Sequence, residues 1–249
     1  MIQLTQHTLV VPNLPEAAEG LRVIHLTDLH RDSLTQDRVI REAVKIAGVS
    51  CPDLIVLTGD YVSHCPEDVA PVAELLKPLN APLGVYGILG NHDFRAGQSR
   101  MRTALQGVGV TMLDDRMERL PCGLTLVGMT DDIEGDGVHG RAFEGVAEDE
   151  AVLALIHNPT DAERFAEKSC VAVSGHTHGG QVVVPFLTAW KLRNIHAKRY
   201  RAGFYRVGKV TLYVNRGVGN VGVPFRFGAK PEVALFTLTR KEETNHSLR

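Results

Sequence analysis

The chain reads Leu21-Arg-Val-Ile-His-Leu-Thr-Asp28 and later Leu54-Ile-Val-Leu-Thr-Gly-Asp60, two largely apolar runs that each end in an aspartate. Short apolar runs of this kind are typical of buried strands. Apolar residues recur at helical spacing after each run, over residues 35–47 and 67–79. A strand followed by a helix, repeated along the chain, predicts right-handed crossovers and a parallel sheet in an α/β fold.

The rest of the chain continues this pattern and then changes. A third strand at residues 84–89 is followed by a helix at residues 98–107. Short runs broken by turn residues at 110–129 predict hairpins that extend the sheet. Further strands are expected at residues 152–156, 171–173, 212–215 and 233–238, with a loop at 131–148 and a short helix near Thr160. No linker or repeat divides the chain, so we predict a single domain over residues 1–249.

Composition narrows the class of protein. Hydrophobic residues make up 44% and charged residues 22% of 249 residues, which is ordinary for a globular domain with a sizeable core. The formal net charge of -2 gives no general attraction to polyanions, so no stable nucleic acid partner is expected.

Cysteine spacing and hydropathy bear on the compartment. Widely spaced cysteines favour a reduced, cytoplasmic protein, although export with two disulfide bonds remains an alternative; the residues are Cys51, Cys65, Cys122 and Cys170. No apolar run is long enough for a signal peptide or a membrane span, so we expect any membrane contact to be peripheral.

Polar groups stand at the ends of five predicted strands. They are Asp28-Leu-His30, Gly59-Asp60, Gly90-Asn-His-Asp93, Ile156-His-Asn158 and Gly175-His-Thr-His-Gly-Gly180. Ligands bind outside the carboxyl ends of parallel strands, so these groups are expected to converge on one crevice. Carboxylates, imidazoles and amide oxygens without thiolates suit manganese, iron or zinc. The groups exceed the need of one ion, and a pair of ions about 3.5–4 Å apart needs a bridging carboxylate, for which Asp60 is the natural candidate.

Each of these residues taken alone has an ordinary structural explanation. An aspartate after a strand is commonly a helix cap or a turn residue, and a histidine there is commonly a hydrogen-bonded structural residue. Independent caps do not explain five polar clusters at five strand ends. The combination therefore favours an active site.

The ordered pattern D-x-H, G-D, G-N-H-D, H and G-H-x-H, from Asp28 to His178, resembles the signature of the calcineurin-like metallophosphoesterases. The stretches Gly175-His-Thr-His-Gly-Gly-Gln181, Tyr213-Val-Asn-Arg-Gly217 and Lys230-Pro-Glu232 are similar to the bacterial YaeI/YkuE-like phosphodiesterase branch. This resemblance implies a four-layer αββα sandwich with mixed sheets and the site at the carboxyl ends of the strands.

The resemblance also implies roles for the site residues. One ion would be held by Asp28, His30, Asp60 and His178, and the other by Asp60, Asn91, His157 and His176. His92 would bind neither metal and would face the phosphate as an acid or electrostatic stabiliser, with Asp93 orienting it. A metal-bridging hydroxide would attack phosphorus, because bound ions lower the pKa of water.

The predicted function is hydrolysis of phosphodiester or pyrophosphate bonds by a metal-dependent phosphodiesterase or phosphatase, with a phosphate ester as substrate. Two divalent ions are expected, with manganese favoured and iron or zinc as alternatives. One alternative is a lipid pyrophosphatase acting on a substrate of the UDP-diacylglucosamine type. Another is a non-catalytic metal-binding scaffold, which the complete ligand set and His92 disfavour.

The sequence departs from the branch in two ways. Many relatives carry an N-terminal export signal or anchor, which is not seen here, and many have a small or apolar residue where this chain has Arg31. A guanidinium matches phosphate oxygens in a bidentate manner, so Arg31 is a candidate substrate contact. A solvated arginine on the rim is the alternative.

Other motifs carry less weight. Gly217-Val-Gly-Asn-Val-Gly222 matches a dinucleotide-binding pattern, but Pro224 follows and no helix is predicted, so these glycines more simply allow a tight backbone near the site. The basic cluster 191–201 is either a solvated loop or a surface for an anionic substrate or lipid headgroup; it comprises Lys191, Arg193, Lys198, Arg199 and Arg201, interleaved with Trp190, Leu192, Ile195 and Tyr200.

The remaining histidines lack a motif. His25 lies within the first strand and is predicted to be a core residue. No role is assigned to His7, His64, His139, His196 and His246.

Overall fold

The computed structural model describes residues 1–131, 141–183 and 199–240. His139, His196, His246 and the part of the basic cluster from Trp190 to Lys198 lie outside the described residues. No helix in the described ranges is long and apolar enough to cross a membrane.

The first sheet has the strand order β1-β12-β2-β3-β4-β5. Its strands are β1 Gln3–Val10, β2 Arg22–Leu26, β3 Leu54–Leu57, β4 Val85–Gly87, β5 Val110–Met112 and β12 Glu232–Thr239. The four strands from β2 to β5 run parallel, as the repeated strand and helix units predicted. Helices α1 Asp37–Val49, α2 Val69–Leu76 and α3 Asn91–Gly107 follow β2, β3 and β4. The sheet is mixed because β12 pairs antiparallel with β2.

The second sheet has the strand order β10-β11-β9-β8-β7-β6. Its strands are β6 Arg116–Arg119, β7 Leu124–Gly128, β8 Ala151–Leu155, β9 Val171–Ser174, β10 Gly203–Val207 and β11 Val210–Val214. The four strands β7, β8, β9 and β11 are parallel, and β6 and β10 are antiparallel edges. Short 3-10 helices at Arg141–Phe143 and Pro159–Phe165 belong to this half of the molecule.

The interpretation of residues 110–129 was only partly right. β5 joins the first sheet as a parallel strand, whereas the β6–β7 hairpin begins the second sheet. Turn residues mark where the chain reverses, but they do not determine which sheet the next strand joins. That choice depends on the partner strands, which lie far away in sequence.

Alternating side chains divide the core into layers. Val23 on β2 points between the two sheets with Leu126 and Phe236, while its neighbour Ile24 points to the helices and packs near Ile40 of α1. The outer face of the second sheet packs against the 3-10 helix Pro159–Phe165. Burial of each such aliphatic side chain stabilises the folded state by roughly 1.5–3 kcal/mol. The αββα layering with mixed sheets is confirmed.

Three elements differ from the sequence-based expectation. β1 and β10 were not predicted, because β1 contains the continuous polar run Thr5 to Thr8 and β10 is a half-exposed edge strand. Helix α3 begins at Asn91 and not near residue 98. Its first turn is polar, and Gly97 breaks the helix with a φ of 108°, so the apolar periodicity becomes visible only after the break.

Candidate metal centre

The predicted polar groups meet at the carboxyl ends of both sheets. The groups that begin at Asp28, Asp60 and Asn91 follow β2, β3 and β4 of the first sheet. The groups that begin at His157 and His176 follow β8 and β9 of the second sheet. Potential ligand atoms come within 4.8 Å of one another in three overlapping groups, which are Asp28 with His30 and His178, His30 with Asp60 and His92, and Asp60 with His157 and His176. The convergence predicted from the strand ends is therefore present.

Asp28, His30 and His178 form one buried half of the centre. Nε2 of His178 lies 3.0 Å from Nε2 of His30 and 3.3 Å from Oδ1 of Asp28. All three side chains are at least nine-tenths buried. Both carboxylate oxygens of Asp28 also accept the backbone N–H of His176, at 3.0 Å, which ties the two strand ends together.

Asn91, His157 and His176 form the other half. Oδ1 of Asn91 lies 3.2 Å from Nε2 of His157 and 3.1 Å from Nδ1 of His176. The two imidazole nitrogens are 3.2 Å apart. On its far side, Nδ1 of His157 donates to the carbonyl oxygen of Thr58 at 2.7 Å, so Nε2 is the nitrogen that bears the lone pair in the neutral ring, and it faces this group.

Asp60 lies between the two halves. Its Oδ2 is 3.3 Å from Nε2 of His30 and 3.2 Å from Nε2 of His157. Its other oxygen, Oδ1, accepts the backbone N–H of His92 at 2.9 Å. One carboxylate oxygen is thus shared by histidines from both halves.

The backbone at the centre is held in an uncommon conformation. Five site residues have left-handed φ angles, namely Asp28 (52°), His30 (43°), Asp60 (55°), His176 (69°) and His178 (53°). For residues other than glycine this conformation costs about 1–2 kcal/mol each, and such strain concentrates at functional sites. The surrounding fold stabilises a ligand arrangement that the local chain does not prefer.

The charges of the centre are strongly coupled. Burial raises the pKa of Asp60, but the charge and hydrogen bonds of His157 and His30 outweigh it and hold that pKa well below its usual range. Burial lowers the pKa of His30, but hydrogen bonds to Asp28 and Asp60 outweigh it and raise the pKa to about 9. Burial dominates at His178 and holds its pKa well below the usual range.

These residues fit divalent metal ions. Nitrogen and oxygen atoms with lone pairs face one another at 3.0–3.3 Å in a buried place, an arrangement that a shared cation stabilises. Nε2 of His30 faces these groups, while its Nδ1 is buried without a hydrogen-bond partner among the described residues. The donor set contains carboxylate, imidazole and amide groups and no thiolate, as the sequence indicated.

His92 stands at the outer side of the centre. Its Nδ1 contacts the carbonyl oxygen of Ser63, and its ring packs 4.8 Å from the ring of His30 and 4.7 Å from the ring of His64. Burial lowers the pKa of His92. His64 is exposed and was assigned no role from the sequence, yet it extends the row of imidazoles to the surface.

Asp93 is placed differently from the expectation that it orients His92. Its carboxylate accepts the backbone N–H groups of Asp60 at 2.8 Å, Tyr61 at 2.9 Å and Gly90 at 2.9 Å. Burial and the charge of Asp60 raise the pKa of Asp93 to about 7, and the amide donors oppose that shift. Asp93 therefore supports the loops that carry the site, and the Ser63 carbonyl is the group that orients the His92 ring.

Arg31 is occupied by two carboxylates. Its Nε donates to Oδ1 of Asp37 at 2.9 Å and its Nη1 contacts Oδ1 of Asp68. The structure matches neither alternative from the sequence, because the Arg31 guanidinium is paired with two carboxylates. It is neither an unpaired cation available to a substrate phosphate nor a solvated arginine on the rim. It joins the loop after β2 to the start of α2.

The glycine-rich stretch after β11 packs on the centre. A Cβ on Gly217 would lie 2.6 Å from Cβ of Asp28, and one on Gly219 would overlap the carbonyl of Leu29. The interpretation of these glycines as a tight backbone near the site is confirmed for Gly217 and Gly219, whereas a Cβ on Gly222 would have no neighbour within 4 Å in the described part of the chain. Arg226, which the sequence analysis missed, lies 3.0 Å from Nδ1 of His178 through Nη2 and binds the carbonyls of this stretch.

A buried cluster of carboxylates and imidazoles at the strand ends of a four-layer α/β sandwich defines a class of metal-dependent hydrolase. The family model described as calcineurin-like phosphoesterase matches residues 21–180. The chain belongs to the calcineurin-like phosphoesterase family and is a metal-dependent phosphoesterase.

Individual relatives agree with this assignment. The chain is 30% identical over 247 residues to the uncharacterized metallophosphoesterase YkuE of Bacillus subtilis, covering 96% of this chain and 86% of that protein. It is 29% identical over 246 residues to phosphodiesterase YaeI of Escherichia coli, covering 95% and 88%. The crystal structure of TT1561 of Thermus thermophilus shares the fold with a TM-score of 0.53 at 10% identity, covering 80% of this chain and 90% of that one.

Proposed function

We propose that the chain hydrolyses phosphodiester or pyrophosphate bonds with two divalent ions. One ion would be held by Asp28, His30, Asp60 and His178, and the other by Asp60, Asn91, His157 and His176. The observation that carries the proposal is the position of Asp60, whose Oδ2 lies 3.3 Å from His30 and 3.2 Å from His157. A carboxylate shared in this way is what a two-ion site requires.

The bound ions would supply Lewis acidity, which lowers the pKa of water and neutralises phosphate charge. Manganese suits the mixed oxygen and nitrogen donors, with iron or zinc as alternatives. The Asp60 carboxylate accepts the backbone N–H of His92, and His157 donates to the carbonyl oxygen of Thr58, and these bonds would keep both ligands from reorganising when substrate binds.

His92 is the proposed acid or electrostatic stabiliser. Its Nδ1 carries the proton donated to Ser63, so Nε2 is the atom available to an oxygen of the substrate. Burial lowers the pKa of this histidine, which favours the neutral ring before substrate binds. The negative charge of a bound phosphate raises that pKa, so protonation of Nε2 is favoured where the leaving oxygen needs a proton.

The substrate class follows from the chemistry of the centre. A phosphate ester is the proposed partner, and neither a nucleic acid nor a stable membrane partner is needed for the reaction. The narrower hypothesis of a lipid pyrophosphatase, and with it peripheral membrane contact, depends largely on residues 190–198, which lie outside the described residues.

The test begins with metal-stripped protein refilled with manganese, zinc or magnesium. Hydrolysis of bis-p-nitrophenyl phosphate and of p-nitrophenyl phosphate is measured beside metal content. We expect manganese-dependent diester cleavage, and an Asp60→Asn variant that loses at least about 100-fold in kcat together with bound metal.

Asp53→Asn is the matched control, because Asp53 is an aspartate that accepts a single backbone N–H, that of Arg22, away from the centre. It should leave both metal content and turnover unchanged. A folded Asp60→Asn protein with full turnover would exclude the shared-carboxylate assignment.

A further inference from the structure

A buried polar network lies behind the candidate metal centre. It consists of His25, Thr58 and Asn215, and all three side chains are fully buried. None of them is among the proposed ligands. His25 was predicted to be a core histidine, and its burial confirms that, but its ring bonds to Thr58 and Asn215, each of which contacts one half of the centre.

The donors and acceptors of this network have one consistent assignment. Asn215 Oδ1 accepts the backbone N–H of Gly217 at 2.8 Å, so its amide nitrogen faces His25. That nitrogen lies 3.4 Å from Nδ1 and 3.3 Å from the carbonyl oxygen of His25. Because an amide nitrogen only donates, Nδ1 of His25 must accept. The ring proton is then on Nε2, which donates to Oγ1 of Thr58 at 2.8 Å.

One arm of the network, the Thr58 arm, runs from His25 through Thr58 to the half of the centre that contains His157. The carbonyl oxygen of Thr58 accepts Nδ1–H of His157 at 2.7 Å, and this bond leaves Nε2 of His157 free to ligate. Partners of this kind orient metal-binding histidines and select their tautomer. His25 holds the Thr58 side chain on the same short stretch of backbone.

The other arm, the Asn215 arm, runs from His25 through Asn215 to the half of the centre that contains Asp28. Asn215 anchors the amide of Gly217, which packs directly against Asp28. The next residues continue this contact, since Val218 donates to the carbonyl of Thr27 at 3.2 Å and Gly219 donates to the carbonyl of Asp28 at 2.7 Å. The position of Asp28 therefore depends on where Asn215 places this backbone.

We propose that His25 is a positioning residue that fixes the ligands of the two ion sites relative to each other. The Thr58 arm supports the His157 site, and the Asn215 arm supports the Asp28 site. The inference rests on the two-ion function proposed above. A ring that stays neutral suits this role, and burial lowers the pKa of His25 to about 4.

Two amide substitutions separate the arms. The side-chain nitrogen of glutamine can replace Nε2 of His25, and the side-chain oxygen of asparagine can replace Nδ1. His25→Gln should therefore keep the Thr58 arm and lose the Asn215 arm, while His25→Asn should do the reverse. His25→Leu should lose both.

The readout is stepwise manganese binding by titration calorimetry, with the electron paramagnetic resonance spectrum reporting coupled ions. His157→Ala and His178→Ala serve as references that identify which step belongs to which site. We expect His25→Asn to weaken the His157 site by about 10–100-fold and His25→Gln to weaken the Asp28 site by a similar factor. His25→Leu should weaken both.

Thr58 gives an independent test if the His25 variants do not fold. Thr58→Val removes the hydroxyl with little change in size, and Thr58→Ser restores it. The valine variant should weaken the His157 site and the serine variant should restore wild-type affinity. Nitrogen NMR of the imidazoles in the wild type should also show His25 protonated on Nε2.

Folded His25 variants that bind both ions with wild-type affinity would show that His25 only fills the core. A His25 ring protonated on Nδ1 would equally overturn the network. These readouts do not require turnover, so a wild-type protein that binds two ions without hydrolysing any phosphate ester would refute the proposed function and leave the network standing.

Discussion

Removing the Asp93 carboxylate is expected to destabilise the protein strongly. In Asp93→Ala the buried amides of Asp60, Tyr61 and Gly90 lose their acceptor, at hydrogen-bond distances now between 2.8 and 2.9 Å. Each unsatisfied buried donor costs about 1–3 kcal/mol, so after partial hydration we expect a loss of about 3–5 kcal/mol in the free energy of unfolding. Asp93→Asn keeps one carbonyl oxygen and should lose about half of that.

Urea unfolding of the metal-free protein, followed by circular dichroism, measures this loss. Asp53→Ala is the control, because Asp53 accepts one amide in an exposed place and should cost no more than about 1.5 kcal/mol. A loss below about 1 kcal/mol for Asp93→Ala, with a change confined to the pH profile of turnover, would refute the structural role and restore the older expectation that Asp93 orients His92.

Three further outcomes are expected. Arg31→Ala should lower the free energy of unfolding by about 1 kcal/mol without raising KM for an anionic diester, because the guanidinium is committed to Asp68 and Asp37; a large rise in KM would instead make it a phosphate contact. His64→Ala should lower kcat/KM for bis-p-nitrophenyl phosphate by about fivefold, the equivalent of one exposed hydrogen bond, since its ring packs 4.7 Å from His92; an unchanged value would place it outside the substrate path. Burial lowers the pKa of His25 from 6.5 to about 4. The contribution of the neutral ring to the free energy of unfolding is therefore complete above pH 6.5 and is lost as the pH falls toward 4. In metal-free protein the wild type should therefore lose about 1.4 kcal/mol more than His25→Gln between about pH 7.5 and about pH 5.5 in urea unfolding, and equal losses would exclude that pKa.

Strands β2, β3 and β4 and helices α1 and α2 could be predicted because their signals are local. The apolar runs that end at Asp28 and Asp60 and the helical periodicity after each run lie within a few residues of the elements they define. Strand β1 was missed because its pairing with β12 joins residues at opposite ends of the chain, Gln3 with Glu232. An edge strand of this kind has little apolar periodicity of its own.

The candidate ligands could also be predicted from the sequence. Parallel strands in one sheet present their carboxyl ends on one side, so polar residues that follow those strands must come together. The exact partners of the supporting residues could not be predicted. Arg31 pairs with Asp68, 37 residues away, and the partners of Asp93 are backbone amides that no side-chain pattern reveals.

By itself the sequence determined the α/β class, the strand ends and the set of carboxylates and imidazoles, because strand length, helical period and ligand chemistry are properties of short segments. Only the tertiary structure decided that a single oxygen of Asp60 is shared by His30 and His157, that the Ser63 carbonyl orients His92, and that His25 connects the two halves. Those relations are set by how two sheets pack and by the demand that every buried donor find an acceptor, and both depend on the whole chain.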